Sequence, residues 1–252
     1  MTTPQRVALV TGSGRGIGRT TAEVLGTHGS ALLIADIDIA LAERTASELR
    51  AKGLIADALP LDVSDEASVI SAYEQVDRQY GRLDILVNNA AVLGLQDGER
   101  VTVENMTLAT WERALRVNLS GTFLMCRGAI PRMRRNRFGR IVNISSRAAR
   151  TNVRLPIANY SASKSGLLGF TRMLAFESGG DGITVNCVAP GRIATEMTQG
   201  ASGGGDEYVH RMAAETVVGR IGVPGDIANA VAFLCSEHSS FVTGIVIDVM
   251  GG

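Results

Sequence analysis

The sequence predicts an α/β fold: a doubly wound, seven-stranded parallel sheet with helices on both faces. Short runs rich in Val, Ile and Leu alternate with amphipathic stretches along the whole chain. Such alternation requires a parallel sheet covered on both sides. No Pro/Ser-rich linker interrupts it, and 252 residues are enough for a sizeable core. We therefore expect one domain over residues 1–252.

Seven segments read as buried strands because they are short, apolar and rich in β-branched side chains. Examples are "RVALV", directly before a glycine-rich turn, and "ALLIAD", which ends in an acid. The predicted strands are 6–10, 31–36, 55–60, 83–88, 139–145, 182–188 and 245–249.

Helical patterns fill most of the intervals between these strands. They are predicted near 17–28, 38–52, 66–80, 108–135, 161–178 and 224–236. Two intervals remain irregular, 93–106 and 191–222, and both follow a strand. Ligands of doubly wound sheets bind beyond the carboxyl ends of the strands, so both intervals are candidate substrate loops. Residues 195–217, with Met197 and the "GASGGG" tip, could form a lid; the alternative is a surface loop.

Composition excludes several classes of protein. Formal net charge is zero, which gives no bulk attraction to nucleic acid or anionic membrane, and no segment approaches a membrane span. Three scattered cysteines without metal-ligand spacing indicate reduced thiols in a cytoplasmic protein. The three histidines show no paired-ligand spacing, so no metal is expected.

The turn "TGSGRGIG" between the first strand and the first helix has glycines at Gly12, Gly16 and Gly18. Glycine allows a tight turn and close backbone approach, and the helix N-terminus offers free N–H groups to a pyrophosphate. Asp36 ends the second strand, where an acid accepts the ribose hydroxyls of NAD and repels the 2′-phosphate of NADP. Arg15 points instead to NADP, because its guanidinium could bind that phosphate. NAD is favoured, and NADP is the alternative.

Tyr160 and Lys164, in "YSASK", stand four residues apart on a predicted helix and so share one face. A free phenol has a pKa near ~10 and carries protons poorly at neutral pH. An ammonium about 4 Å away is worth ~4 kcal/mol at an effective dielectric of ~20 and would lower that pKa. The pair therefore predicts a general acid/base. A surface Tyr–Lys contact is the alternative.

Several motifs together resemble the short-chain dehydrogenase/reductase family over practically the entire chain. They are "TGSGRGIG" at 11–18, "NNAA" at 88–91, Asn118, "NISS" at 143–146, "YSASK" at 160–164, "APGRIATEM" at 189–197 and the terminal "FVTGIVIDVMGG". The resemblance implies a Rossmann-type domain, a nicotinamide cofactor and usually a homotetramer joined by the long helices and the C-terminal strand region.

The resemblance also implies roles for single residues. Tyr160 would be the general acid/base, Lys164 would lower its pKa and hold the nicotinamide ribose, and Ser146 would hydrogen-bond the substrate oxygen. Asn118 would anchor a water that relays protons to Lys164. The implied cofactor contacts are Gly12, Ser13, Gly14, Arg15, Gly16, Ile17, Gly18, Asp36, Ile37, Asp62, Val63, Asn89, Ala90, Ala91, Tyr160, Lys164, Pro190, Gly191, Ile193 and Thr195.

The chain departs from the family pattern at four places. Ser146 and Tyr160 are separated by fourteen residues rather than thirteen, which predicts a bulge between them and keeps Ser145 as an alternative. Ala91 stands where glycine is usual. Arg192 replaces an apolar residue, and Met250 replaces the acid of the final "DGG".

Arginines cluster in segments that should rim the substrate pocket. Arg147, Arg150, Arg154 and Arg192 could clamp an anionic substrate, with Ser146 and Met197 completing the wall. Alternatively, most of them point into solvent. A second run, "RMRRNRFGR" at 132–140, could dock an acidic acyl carrier protein or be a solvated helix end.

These observations favour an NAD-dependent secondary-alcohol dehydrogenase or ketone reductase acting on a small molecule. The alternative enzyme is an NADPH-dependent 3-oxoacyl-carrier-protein reductase. A binding protein without chemistry would normally have lost Tyr160 or Lys164. An epimerase of the extended relatives would need a longer C-terminal region.

Overall fold

The structure is a computed structural model that describes residues 6–151, 157–195 and 212–252. Seven parallel strands form one sheet, as predicted, and their order is β3-β2-β1-β4-β5-β6-β7. They are β1 (Val7–Thr11), β2 (Ala31–Asp36), β3 (Ala56–Pro60), β4 (Ile85–Asn88), β5 (Gly139–Ile144), β6 (Ile183–Pro190) and β7 (Val246–Val249). The chain order reverses between β1 and β4, and a crevice opens beyond the strand ends at such a reversal.

Helices cover both faces of the sheet. They are α1 (Gly16–Thr27), α2 (Ile39–Ala51), α3 (Glu66–Tyr80), α4 (Leu108–Leu115), α5 (Gly121–Asn136), α6 (Ala158–Ser178) and α7 (Pro224–Cys235). Side chains of α1, α2 and α7 build one hydrophobic core, and those of α3, α5 and α6 build the other. Alternate residues of β1 enter opposite cores: Val7 and Leu9 one, Ala8 and Val10 the other.

Helix α3 shows why local sequence predicts some elements closely. The Asp65 carboxylate accepts hydrogen bonds from the amides of Ala67 and Ser68, and Gly81 ends the helix in the left-handed conformation. Both end signals are local, so the helix spans Glu66–Tyr80, as predicted.

The fourth predicted helix, 108–135, is interrupted. Between α4 and α5 the backbone forms a π-helical turn over Arg116–Ser120, with Asn118 fully buried at its centre. Single π turns inside α-helices occur frequently at functional sites. Immediately after it, Gly121 packs so closely on β3's end that an added Cβ would lie 2.9 Å from the Val63 carbonyl oxygen.

Within the three described ranges, no helix is both long and apolar enough to cross a membrane.

Candidate active site

A cleft of about 1160 Å³ lies beyond the carboxyl ends of the strands, where the two irregular intervals also meet. Leu93 and Arg100 reach it from the first interval; Arg192, Met212 and Glu215 reach it from the described ends of the second. Most predicted cofactor contacts line it: Gly12, Arg15, Gly16, Ile17, Asp36, Ile37, Asp62, Val63, Asn89, Ala90, Ala91, Tyr160, Lys164, Pro190, Gly191, Ile193 and Thr195.

The glycine turn forms one wall of the cleft, and close packing requires glycine there. A Cβ on Gly18 would lie 2.3 Å from the carbonyl oxygen of Gly12, and one on Gly12 would lie 2.9 Å from Cα of Ala90. Ser13, Gly14 and Gly18, predicted as contacts, do not line the cleft. Ser13 is fully buried, and its hydroxyl donates to the Val10 carbonyl at 2.6 Å. It therefore stabilises the turn from the side that faces away from the cleft.

Asp36 is held in place at the end of β2. Its carboxylate accepts the amide N–H of Gly14 at 3.0 Å and that of Asp38 at 3.2 Å. These bonds fix a carboxylate on the cleft wall, and Arg15 lines the same cleft. Both residues that bear on the choice of cofactor therefore lie in the cleft: Asp36, which suits the free ribose hydroxyl of NAD, and Arg15, which suits the phosphate of NADP.

Asn89 joins the end of β4 to the glycine turn. Its side-chain amide donates to the carbonyls of Thr11 at 3.0 Å and Gly12 at 2.9 Å. The Thr11 hydroxyl in turn accepts the amides of Asn89 and Ala90, both at 3.0 Å. Backbone positions on both sides of the cleft are therefore rigidly linked.

Ser146, expected to hold the substrate oxygen, and Tyr160, expected to be the general acid/base, lie near each other in the structure. Both side chains line the cleft, and the Ser146 hydroxyl also accepts the amide of Ala148 at 3.1 Å. The neighbouring Ser145 is buried and its hydroxyl donates to the carbonyl of Lys164 at 2.9 Å. This geometry favours Ser146 over Ser145. The bulge predicted between Ser146 and Tyr160 is described only in part. Residues 146–151 contain a 3₁₀ turn, and residues 152–156 lie outside the described residues.

Lys164 is almost fully buried beneath Tyr160. Its ammonium donates to the Ile144 carbonyl at 2.7 Å and lies 5.9 Å from the centre of the Tyr160 ring. Burial lowers the pKa of Lys164 to about 8.

The expected lowering of the Tyr160 pKa by this ammonium is wrong. Burial raises the pKa of Tyr160, and the hydrogen bond with Ser146 opposes that rise. The physical reason is that Lys164 is drawn towards the end of β5 by the Ile144 carbonyl, and its own burial disfavours the charged form.

Asn118 lies behind the cleft wall rather than on it. Its side-chain oxygen accepts the amide of Val92 at 2.8 Å, and its nitrogen donates to the Val92 carbonyl and the Ser163 hydroxyl, both at 3.0 Å. The π turn thereby anchors the chain that leaves β4. Its predicted role in holding a water remains a prediction.

Sequence reasoning missed Asn159, which is buried directly before Tyr160. Its side-chain oxygen accepts the Tyr160 amide at 2.8 Å, and its nitrogen donates to the Gly94 carbonyl at 2.8 Å. Asn159 thus ties the start of α6 to the loop after β4. A polar residue beside the tyrosine was the only sequence signal.

The predicted arginine clamp is only partly brought together. Arg147 and Arg192 line the cleft, and Arg192 pairs with Glu215 at 2.9 Å. The placement of Arg150 at the rim is wrong: it binds Asp248 of β7 at 3.0 Å and does not line the cleft. Arg154 and Met197 lie outside the described residues, as does the glycine-rich tip. Arg100, Arg113 and Arg116 line the cleft and were not predicted.

The second basic run is partly neutralised, because three of its five arginines pair with two acids. Arg132 and Arg135 bind Asp77 at 2.5 and 3.6 Å, and Arg134 binds Asp181 at 2.6 Å. These pairs leave less free positive charge for an acidic protein than the sequence suggests. Among the described residues no cluster of His, Cys, Asp and Glu could hold a metal ion, and the three cysteines are free and buried.

Comparison with known proteins agrees with this geometry. A family model described as enoyl-(acyl carrier protein) reductase matches residues 12–252. A 3-oxoacyl-[acyl-carrier-protein] reductase of Aquifex aeolicus (strain VF5) is 41% identical over 248 residues, covering 98% of this chain and 96% of that protein. A subunit of (2S)-[(R)-hydroxy(phenyl)methyl]succinyl-CoA dehydrogenase from Thauera aromatica is 40% identical over 249 residues, covering 98% and 96%.

Among solved structures, a 3-oxoacyl-[acyl-carrier protein] reductase from Brucella melitensis with bound NAD superposes with a TM-score of 0.87. It is 38% identical, and the match covers 98% of this chain and 90% of that one.

Proposed function

Because the chain belongs to the short-chain dehydrogenase/reductase family, we propose that it transfers hydride between a nicotinamide dinucleotide and the 3-oxo carbon of a 3-oxoacyl thioester. The observation that carries this proposal is that Ser146, Tyr160 and buried Lys164 line the same cleft as the glycine turn, with the Lys164 ammonium 5.9 Å from the centre of the Tyr160 ring. The names of the relatives support the thioester class.

The residues of the cleft fit a nicotinamide dinucleotide. At Gly16, which lines the cleft at the start of α1, an added Cβ would meet only the Thr195 side chain at 4.0 Å, so there is open space beside the first turn of the helix. The amides of a helix N-terminus suit a pyrophosphate. Asp36 is fixed where a ribose hydroxyl would donate to it, which favours NAD(H) within this proposal. When bound, the nicotinamide supplies or accepts the hydride.

The protein's own residues then handle the substrate oxygen and its proton. Ser146 donates a hydrogen bond to the substrate oxygen, and this bond strengthens as negative charge develops there. Tyr160 donates its phenolic proton to that oxygen when the carbonyl is reduced, and takes it back when the alcohol is oxidised. A raised pKa keeps Tyr160 protonated at neutral pH, which suits reduction.

The charge at the end of α5 bears on which carrier presents the thioester. Two acids, Asp77 and Asp181, pair with three arginines there, which lowers the positive charge open to an acidic carrier protein but does not remove it. A coenzyme A thioester or another small thioester is therefore a substrate to test beside an acyl-carrier-protein thioester.

A second candidate is an NAD-dependent dehydrogenase of ordinary secondary alcohols, favoured by the fixed carboxylate of Asp36. NADH and NADPH consumption with acetoacetyl thioesters, compared with NADH formation from secondary alcohols, hydroxy acids, sugars and steroids, separates the two. We expect the thioester to have the highest kcat/KM. An alcohol turned over faster than every thioester would reject the first candidate.

We further propose that residues 1–252 act as one catalytic domain with 191–222 as its substrate loop, assembled as a homotetramer. Large apolar side chains are exposed on the long helices, Phe123 on α5 and Met173 and Phe176 on α6, and near β7, Phe241 and Ile245. Light scattering should give about four times the 26.6 kDa of the chain.

A further inference from the structure

Four arginines that line the cleft have no acidic partner among the described residues. Arg100 comes from the loop after β4, Arg113 from α4, Arg116 from the π turn and Arg147 from the segment after β5. Arg100 and Arg147 are half-buried, and Arg113 and Arg116 are exposed. The Nε atom of Arg100 is shielded from solvent and has no hydrogen-bond partner in this part of the chain.

Many arginines elsewhere in the described chain are matched by acids. Arg150 binds Asp248, Arg220 binds Asp226, and within the same cleft Arg192 binds Glu215. A half-buried guanidinium without a counter-charge is unfavourable because burial removes part of its hydration. Two such groups, Arg100 and Arg147, share the cleft with the exposed Arg113 and Arg116, and this concentration of positive charge favours the entry of an anion.

We do not assign the phosphates of the dinucleotide to these four arginines, because the glycine turn and α4 belong to opposite layers of the fold. The glycine turn leads into α1, which shares one face of the sheet with α2 and α7. Arg113 lies on α4, which packs against the opposite layer beside α6, the helix of Tyr160. Asn159 of α6 joins this helix to α4 and to the loop after β4. Its side-chain amide donates to the Gly94 carbonyl at 2.8 Å and to the Thr110 carbonyl at 3.4 Å.

We propose that Arg100, Arg113, Arg116 and Arg147 bind an oxyanion carried by the substrate, away from the carbonyl that is reduced. Guanidinium groups match phosphate and carboxylate oxygens in paired hydrogen bonds. The oxyanion is a phosphate of the pantetheine arm or a carboxylate on the acyl chain. This inference rests on the proposed thioester reduction, because Tyr160 and Ser146 fix where the reacting carbonyl lies.

Two matched pairs of substrates distinguish the sources of the oxyanion. The first pair is acetoacetyl-phosphopantetheine and acetoacetyl-pantetheine, which differ in one phosphate. The second pair is a 3-oxo-dicarboxylic acid monothioester of N-acetylcysteamine and its methyl ester, which differ in one carboxylate. For each substrate, kcat/KM is measured with wild type and with Arg100→Gln, Arg113→Gln, Arg116→Gln and Arg147→Gln.

In at least one pair we expect wild type to prefer the anionic substrate by about tenfold or more, the effect of a charged hydrogen bond. Arg100→Gln and Arg147→Gln should remove most of that preference, by lowering kcat/KM for the anionic substrate much more than for its neutral partner. Arg44→Gln is the matched control, because Arg44 is exposed on α2, in the opposite layer. It should retain the preference.

The inference is overturned if wild type shows no preference in either pair, or if all four variants keep it. It is also overturned if the variants weaken NADH binding, or change the mass of the oligomer, with the preference intact.

If wild type reduces no thioester, the proposed function fails and the arginine site is judged by binding alone. Trp111, the only tryptophan, lies on α4 and reports on this region. Inorganic pyrophosphate should then change its fluorescence in wild type and much less in Arg113→Gln. An equal response, or none in wild type, would overturn the site.

Discussion

The ammonium group of Lys164 donates a hydrogen bond to the carbonyl oxygen of Ile144, with 2.7 Å between the two atoms. This bond holds the ammonium at the end of β5, 5.9 Å from the centre of the Tyr160 ring. Burial is the largest influence on the pKa of both side chains, raising that of Tyr160 and lowering that of Lys164.

The titration of Lys164 should be visible in the stability of the protein. Its folded-state pKa of about 8 lies below the ordinary value of 10.5, so between these pH values the unfolded chain holds a proton that the folded chain has lost. Stability relative to Lys164→Met should rise with pH across that window, by up to about 3 kcal/mol. Urea unfolding of both proteins from pH 7 to 10.5 measures the difference; a constant difference would contradict the shift.

Tyr160→Phe should lower kcat by roughly a thousandfold, because it removes the group that gives and takes the proton. Binding of NADH should persist, since the glycine turn and Asp36 are untouched. Because burial raises the pKa of Tyr160, ketone reduction by wild type should be level near neutral pH and alcohol oxidation should increase towards alkaline pH. Initial rates and NADH fluorescence titrations check both points; full retained turnover would refute the role of Tyr160.

Asp36→Ala should shift cofactor preference towards NADPH. The carboxylate repels a 2′-phosphate, and at ~4 Å with an effective dielectric of ~20 this repulsion is worth a few kcal/mol before screening. We expect the NADH to NADPH ratio of kcat/KM to fall at least about tenfold. Asp38→Ala is the control, since it removes only the cap of α2. An unchanged ratio in Asp36→Ala would mean that another group selects the cofactor.

Asn159→Ala should lower kcat while leaving the Kd of NADH unchanged. It removes the hydrogen bonds of a buried side chain to the Tyr160 amide, the Gly94 carbonyl and the Thr110 carbonyl, and we expect a loss of about 1–3 kcal/mol in the free energy of unfolding. Asn105→Ala is the control, because Asn105 is exposed in the same loop and bonds only locally, to Thr102. If kcat stays at the wild-type value, Asn159 does not position the tyrosine.

Elements with local signals could be predicted from the sequence. Asp65 and Gly81 mark both ends of α3, and the run before the glycine turn marks β1. The π turn could not be predicted because its cause is distant: Asn118 is held by the backbone of Val92, 26 residues earlier in the chain.

The same distinction applies to the candidate site. Residues inside continuous motifs, such as Ser146 and Tyr160, were found because their spacing carries the signal. Charged groups on the rim depend on partners far along the chain. Arg150 binds Asp248, which is 98 residues away in the sequence, and the residues around each of them do not predict that pair.

The π turn also constrains how the chain can be edited. One residue advances an α-helix by about 100°, so deleting one position within Arg116–Ser120 would restore regular winding but rotate α4 against α5. Asn118 and Gly121 could then not both face Val92 and Val63, which they now contact at the same time. Inserting residues in the exposed stretch near Asp97 would not rotate α4 relative to α5, so variants of different chain length are better made there.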